Sequence, residues 1–262
     1  WLQEISSGAH FIDPNTYVTA HSFEVAACAA GSAIAAVERA MDGEHCFALV
    51  RPPGHHAEAD QAMGFCLLNN AAIAAANALT SVERVAIVDW DLHHGNGTQN
   101  IFYGSDRVLY CSVHQEGAFP RTGWVDEIGS GSGRGYSLNV PLKKGATISD
   151  YRAVFTELFV PALERFRPDL LIVSAGQDPL ADDRHGSMCL QPADFGVLTR
   201  ILMGASDLPL ALVLEGGYGP SHGAAVSHIF QALQGKRIAG GEAGEPRRST
   251  RALIGTLKKV WF

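Results

Sequence analysis

Val85-Ala86-Ile87-Val88-Asp89-Trp90-Asp91-Leu92-His93-His94-Gly95-Asn96-Gly97 is an apolar run that turns abruptly into acids, imidazoles and glycines. Short apolar runs closed by polar or turn residues read as strands buried on both faces. Outward from 85–91, four more segments share the pattern: 46–51, 108–114, 170–176 and 210–215. Between and around them lie alanine-rich stretches with helical spacing, at 22–41, 70–79, 149–166, 192–203 and 223–233. Such alternation predicts an α/β fold in three αβα layers, its mostly parallel sheet covered on both faces. The stretch 128–136 has four glycines but no nucleotide-binding strand-to-helix pattern, so it reads as a surface loop. From 235 to 250 the chain is rich in Gly, Glu and Arg, an excursion before a short final element.

A length of 262 residues is compatible with one α/β domain having a full core. Hydrophobic residues at 47% and charged residues at 18% exclude a disordered chain. No apolar run approaches the roughly 18 residues needed to cross a bilayer. Five cysteines without a CxxC pair argue against a disulfide framework or a cysteine zinc finger, and for a reducing, cytoplasmic setting. The net charge of −7 is uneven: from Lys236 onward seven basic residues face two acidic ones, leaving −12 over the rest. That acidic body repels nucleic acid and suits a cationic substrate. The chain opens on Trp1, with no charged-then-apolar leader pattern.

The functional signal lies at the residues just past each expected strand. After 46–51 come Pro52-Pro53-Gly54-His55-His56, and 108–114 ends on His114. The segment 170–176 runs into Gln177-Asp178, and 210–215 into Gly216-Gly217-Tyr218. Open α/β sheets bind ligands beyond the carboxyl ends of their strands. His, Asp and Tyr therefore recur along one edge.

Asp91 and His93 alternate across Leu92, so their side chains point the same way. They either cap the sheet edge through hydrogen bonds or, with Asp178, hold a metal. Three protein ligands with one open position is the catalytic form of a zinc site, and an Asp/His/Asp set also accepts iron(II). His55 and His56 follow a stiff Pro-Pro-Gly approach and suit base, acid or electrostatic work beside a metal; a structural pair is the plainer alternative. Asp89 and Asn96 suit the orienting of imidazoles, one charged and one neutral. Tyr218, after two glycines, either donates to an oxyanion or packs over the sheet edge. Phe65 and Phe119 either wall an apolar channel or belong to the core. Ser112, beside the Asp89/Asp91 strand, is compatible with a monovalent-cation site but does not establish one.

Taken together these stretches resemble the histone deacetylase family, which includes bacterial acetylpolyamine amidohydrolases. The likeness rests first on Arg51-Pro52-Pro53-Gly54-His55-His56-Ala57-Glu58 and on Asp89-Trp90-Asp91-Leu92-His93-His94-Gly95-Asn96-Gly97-Thr98-Gln99. Met63-Gly64-Phe65-Cys66, Ser174-Ala175-Gly176-Gln177-Asp178 and Leu214-Glu215-Gly216-Gly217-Tyr218 match in the same order, so it spans roughly 13–233. Trp90, Asn96 and Gly97-Thr98-Gln99 are similar to the class II branch. The resemblance implies an arginase-like fold with zinc on Asp91, His93 and Asp178. It implies catalytic roles for His55, His56 and Tyr218, with Asp89 orienting His55 and Asn96 near His56. It further implies a substrate channel at Gly64, Phe65, Phe119, His185 and Gly217, and potassium near Asp89, Asp91, His93 and Ser112.

Two features depart from the family pattern. Little stands before Ser22, where the family carries a sheet strand and a buried arginine; the chain reads as a truncated piece or a shortened variant whose sheet edge needs another cover. Where the family reads Asp-Pro-Leu-Gly, this sequence has Asp183-Arg184-His185-Gly186, which makes the rim polar. The expectation is a single deacetylase catalytic domain over 1–262. It would be zinc-dependent and hydrolyse the amide of acetylated lysine side chains in peptides or proteins. The alternatives are an amidohydrolase of acetylated polyamines or other small acylated amines, and a non-catalytic acyl-lysine binder. A binuclear ureohydrolase needs more strand-end carboxylates than are present. No nucleic-acid or membrane partner is expected, and the sequence leaves the oligomeric state open.

Overall fold

The computed structural model describes residue 4 and residues 8–205, 207–238 and 244–261. β3 (Cys46–Ala48), β4 (Val85–Asp89), β5 (Val108–Gln115), β6 (Ser137–Leu142), β7 (Leu170–Ser174) and β8 (Leu210–Val213) form one sheet. Their order is β3-β8-β7-β4-β5-β6, and every neighbouring pair is parallel. β1 (His10–Asp13) and β2 (Thr16–Val18) make a separate antiparallel hairpin.

Side-chain alternation divides the sheet into two faces. Val85, Ile87, Val108, Tyr110, Leu170 and Ile172 meet α1 (Ser22–Met41) and α2 (Asn70–Ala78). Ala86, Val88, Trp90, Leu109, Cys111, Leu171 and Val173 face the other way. There they pack on α4 (Ile148–Val154), α5 (Val160–Phe166), α6 (Pro192–Ala205), α7 (His222–Leu233) and α8 (Arg248–Trp261). The short α3 (Asn96–Phe102) follows β4. The alanines of α1 and α2 allow close approach on one face, and Trp90 packs between Phe155 and Phe195 on the other. Each fully buried large aliphatic side chain contributes roughly 1.5–3 kcal/mol to this sandwich. The three-layer α/β arrangement read from the sequence is the one observed.

The differences lie at boundaries and have local causes. β4 stops at Asp89, short of the expected 91, because carboxylates capture the next backbone donors. Asp91 N–H donates to Asp89 Oδ1 (3.1 Å), Leu92 N–H to Asp178 Oδ1 (2.8 Å) and His93 N–H to Asp91 Oδ1 (2.8 Å). β3, β7 and β8 likewise end before the expected positions, leaving their polar residues in turns. β6 went unread because Pro141 interrupts it; as an edge strand it tolerates a missing N–H. The expected helix 149–166 is broken by a π-helical turn at Phe155–Phe159, one residue before α5 opens with Pro161 near its start. α3 is missing from the sequence reading because its first residues, Asn96–Gln99, are polar or glycine yet buried, with no apolar stripe. The final element is a helix of 14 residues rather than a short one. Residues 239–243 of the preceding excursion lie outside the described residues.

The chain leaves β4 toward β5 on one flank and β7 toward β8 on the other. β4 and β7 are neighbours, so their connections part between them. Such a reversal opens a crevice at the carboxyl ends of two adjacent strands. Asp91 and His93 follow β4; Asp178 follows β7.

Candidate active site

The donor atoms of Asp91, His93 and Asp178 all lie within 4.8 Å of one another. His93 Nδ1 is 3.2 Å from Asp91 Oδ1 and 2.9 Å from Asp178 Oδ2. Both carboxylates are fully buried. Gly216 N–H donates to Asp91 Oδ2 (2.7 Å), and Leu92 N–H to Asp178 Oδ1, so backbone donors orient the two acids. A Cβ on Gly176 would overlap Asp91 Oδ2, which explains glycine at that position. Burial raises Asp178, and the charge of Asp91 raises it further, to about 6. Burial opposes protonation of His93, but its hydrogen bonds to Asp178 and Asp91 prevail and lift it to about 10. Two acids pressed together out of water around one nitrogen fit a divalent cation, and an O/N/O donor set suits zinc or iron(II).

His55 and His56 stand beside this cluster, ring centroids 4.1 Å apart. His55 Nδ1 lies 3.1 Å from Asp89 Oδ2, and His55 Nε2 lies 3.7 Å from Asp91 Oδ1. Burial penalises charge on His55, yet Asp91 and Asp89 outweigh it and hold the imidazole well above its ordinary pKa. His56 Nδ1 meets Asn96 Oδ1 at 2.9 Å, a neutral partner. Burial, then the charges of His55 and His93, hold His56 well below the ordinary value. Adjacent imidazoles are thus driven in opposite directions, His55 upward by the Asp91 and Asp89 carboxylates and His56 downward by burial and neighbouring positive charge.

A cavity of about 230 Å³ opens onto these groups and is lined by Phe65, Phe119, His185 and Tyr218 among others. Phe65 and Phe119 are 39% and 41% exposed, which places them at the wall rather than in the core. Phe119 meets His56 edge-on at 5.0 Å, and Phe65 meets Tyr218 at 5.8 Å. A Cβ on Gly64 would come within 2.7 Å of His56 Cδ2 and 2.8 Å of Phe119 Cε1, so the wall admits only glycine there. The β1–β2 hairpin sets this wall: Asp13 Oδ2 accepts from Gly64 N–H (3.1 Å) and Thr16 Oγ1 from Phe65 N–H (2.9 Å). His185 sits 4.6 Å from the Tyr218 ring. Burial, with Asp178 and Asp91 nearby, raises the phenol of Tyr218 and keeps it a donor.

One expected channel position sits differently, while Ser112 lies beside Asp89 as read from the sequence. Gly216, rather than Gly217, lines the cavity; the Gly217 carbonyl accepts from Arg51 Nη2 at 2.7 Å. Ser112 is the β5 partner of Asp89, buried, with its hydroxyl 2.9 Å from His114 Nδ1.

Four supporting residues escaped the sequence reading. Glu215 accepts from Gly54 N–H (2.7 Å), His55 N–H (3.0 Å) and Ser174 Oγ (3.1 Å), tying the histidine loop to β7 and β8. Burial pushes its carboxyl up to about 7. Arg51 donates to the Glu215 and Gly217 carbonyls and lies over the Tyr218 ring at 4.9 Å. Asp183 Oδ2 accepts from Tyr218 N–H (2.6 Å) and Gly219 N–H (2.9 Å). Tyr110 Oη donates to Asp89 Oδ2 at 2.9 Å. Arg51, Glu215 and Asp183 all stand within or beside the quoted motifs, which was the available signal.

The fold and cleft define an open α/β protein with two acids and three imidazoles gathered at its strand reversal. The chain matches the family described as Histone deacetylase domain over residues 2–233. It is 40% identical to Histone deacetylase 18 of Arabidopsis thaliana over 93% of this chain and 38% of that protein. Against the Histone deacetylase-like amidohydrolase of Pseudomonas aeruginosa it is 45% identical over 77% of this chain and 55% of that protein. The crystal structure of the HDA15 HD domain superposes with a TM-score of 0.93 at 35% identity, covering 99% of this chain and 74% of that one. The chain belongs to the histone deacetylase family. It spans about two fifths to just over half of the length of those two relatives.

Proposed function

We propose that the protein is a metal-dependent amidohydrolase that removes the acetyl group from lysine side chains. The observation that carries this is the buried Asp91/His93/Asp178 cluster at the floor of a narrow cavity, flanked by two oppositely tuned imidazoles and Tyr218. Zinc is the ion we assign to the three ligands, with iron(II) the second choice. When bound there, such an ion supplies Lewis-acid polarisation of the acyl carbonyl and of an attacking water. His56, neutral and with Nδ1 held at Asn96, presents Nε2 as the base for the water proton. His55, its pKa held up by Asp91 and Asp89, offers positive potential and a proton for the departing amine. Tyr218 donates its hydroxyl hydrogen to the developing oxyanion. Phe65 and Phe119 clasp the alkyl stem. A potassium ion near Asp89, Asp91, His93 and Ser112 belongs to the same reading, as structural support. Free cysteines at all five positions fit a reducing, cytoplasmic setting, and no helix among the described residues is long and apolar enough to cross a membrane.

Acetylated polyamines are the second substrate class, favoured by the acidic body of the chain. A polyamine carries its remaining charge along the stem and needs carboxylates at the rim. Among the described residues, Asp91 and Asp178 are the only acids lining the cavity, and both lie at its floor. That favours acetyl-lysine. The test is a turnover assay of the zinc-loaded chain on acetyl-lysine peptides, acetylputrescine and acetylspermidine, with Tyr218→Phe alongside. Peptide turnover should exceed that on either polyamine, and Tyr218→Phe should lower it by roughly 10²–10³. A preference for polyamines would overturn the substrate assignment, and undiminished Tyr218→Phe turnover the oxyanion role.

A further inference from the structure

At the opposite edge of the sheet lies a larger cavity, of about 550 Å³. Its walls include Arg84, Arg134, Arg165 and Lys259, together with Phe166 and Trp261. Arg84 immediately precedes β4, Arg134 comes shortly before β6, and Phe166 ends α5 ahead of β7. The cavity therefore opens at the amino ends of the strands, away from the catalytic cleft.

Its electrostatics are one-sided. Among the described residues no carboxylate lines it, and none of the four cations forms an ion pair. Arg165 Nη1 donates to the Trp261 carbonyl at 2.6 Å, and the Arg84 guanidinium carbon lies 5.7 Å from the Phe166 ring centroid. Four like charges around one hollow, on a chain of net charge −7, form an arrangement that an anion completes. Guanidinium forks match phosphoryl oxygens two at a time. The volume falls within the roughly 300–1,000 Å³ of small-molecule sites and exceeds what a lone phosphate fills. Ile128, Tyr136 and Val260 add apolar wall for an uncharged portion.

We propose that this cavity binds a nucleotide-like diphosphate, a small molecule with two adjacent phosphoryl groups joined to a flat ring. The arginines and Lys259 hold the phosphoryl oxygens, and the ring lies against the apolar wall. The test is calorimetric titration of the chain with ADP and, separately, with inorganic pyrophosphate at physiological salt. ADP should bind with a Kd on the order of 100 μM or tighter. The double variant Arg134→Gln/Lys259→Gln, both positions exposed, should weaken ADP binding at least about tenfold and leave deacetylation unchanged. Pyrophosphate should bind at least about tenfold more weakly than ADP. Absence of saturable heat with ADP up to about 1 mM, or equal affinity in the double variant, would overturn the site. Equal affinity for pyrophosphate and ADP would remove the ring from the proposal. None of the binding outcomes depends on whether the chain hydrolyses an acylated amine.

Discussion

His114 and His94 are buried imidazoles with centroids 4.9 Å apart, beside the turn that carries Asp91 and His93. His114 is fixed by Ser112 Oγ and the Gly123 carbonyl, each at 2.9 Å, and burial pushes its pKa down to about 4. An unfolded histidine titrates near 6.5, so below that value the unfolded chain takes up a proton that the folded chain refuses. The stability that neutral His114 provides is complete above about pH 6.5 and is lost progressively toward pH 4. Between pH 7 and 5 the loss from this one group is about 2 kcal/mol. In urea unfolding, His114→Gln should lose less stability than the parent over that interval by about this amount. Equal pH slopes for the two proteins would contradict the assignment. The sequence showed His114 as a strand-end residue but not its partners, because Gly123 approaches only through the loop after β5. The same holds for Tyr110 and Asp183. Their acceptor and donor partners are set by register and turn geometry, whereas Asp91, His93, His55 and Tyr218 carry their chemistry in local motifs.

α4 and α8 are joined by one buried carboxylate. Asp150 Oδ2 accepts from Thr147 N–H (3.0 Å) to close the capping box of α4. Its Oδ1 accepts from Thr250 Oγ1 (2.6 Å) and Arg247 N–H (2.9 Å) at the start of α8. Burial would raise the acid, but these donors and the Arg247 charge hold it below the ordinary value. Its stabilising effect is therefore present above the unfolded carboxyl pKa and disappears as pH falls through the depressed folded one. Asp150→Asn should cost about 2 kcal/mol at neutral pH, read as a lower urea midpoint with an unchanged slope. A midpoint equal to the parent's would show that α8 docks without this tie. The Thr147-to-Asp150 cap is local enough to be legible in sequence, but the bond to Thr250 spans about a hundred residues and is not. Similarly, α1, α2, α6 and α7 announce themselves by apolar periodicity, while α3 hides because its buried face is amide, hydroxyl and glycine.

The order of the strands turns scattered motifs into one site. Apolar runs separated by helices are enough to read a three-layer sandwich, but not that β7 lies against β4. That adjacency brings Asp178 to Asp91 and His93 across 85 or more positions of chain. Once the reversal is in place, Gly176 and Gly216 let the two acids close without obstruction, and Glu215 locks the histidine loop over them. We propose that the whole arrangement is organised around a cation held by these three side chains. Metal analysis and zinc titration of the parent chain beside Asp178→Asn test this most directly. The parent should retain one zinc ion per chain, and Asp178→Asn should bind at least about 100-fold more weakly with its circular dichroism unchanged. Parent-like zinc content and affinity in Asp178→Asn would contradict the account.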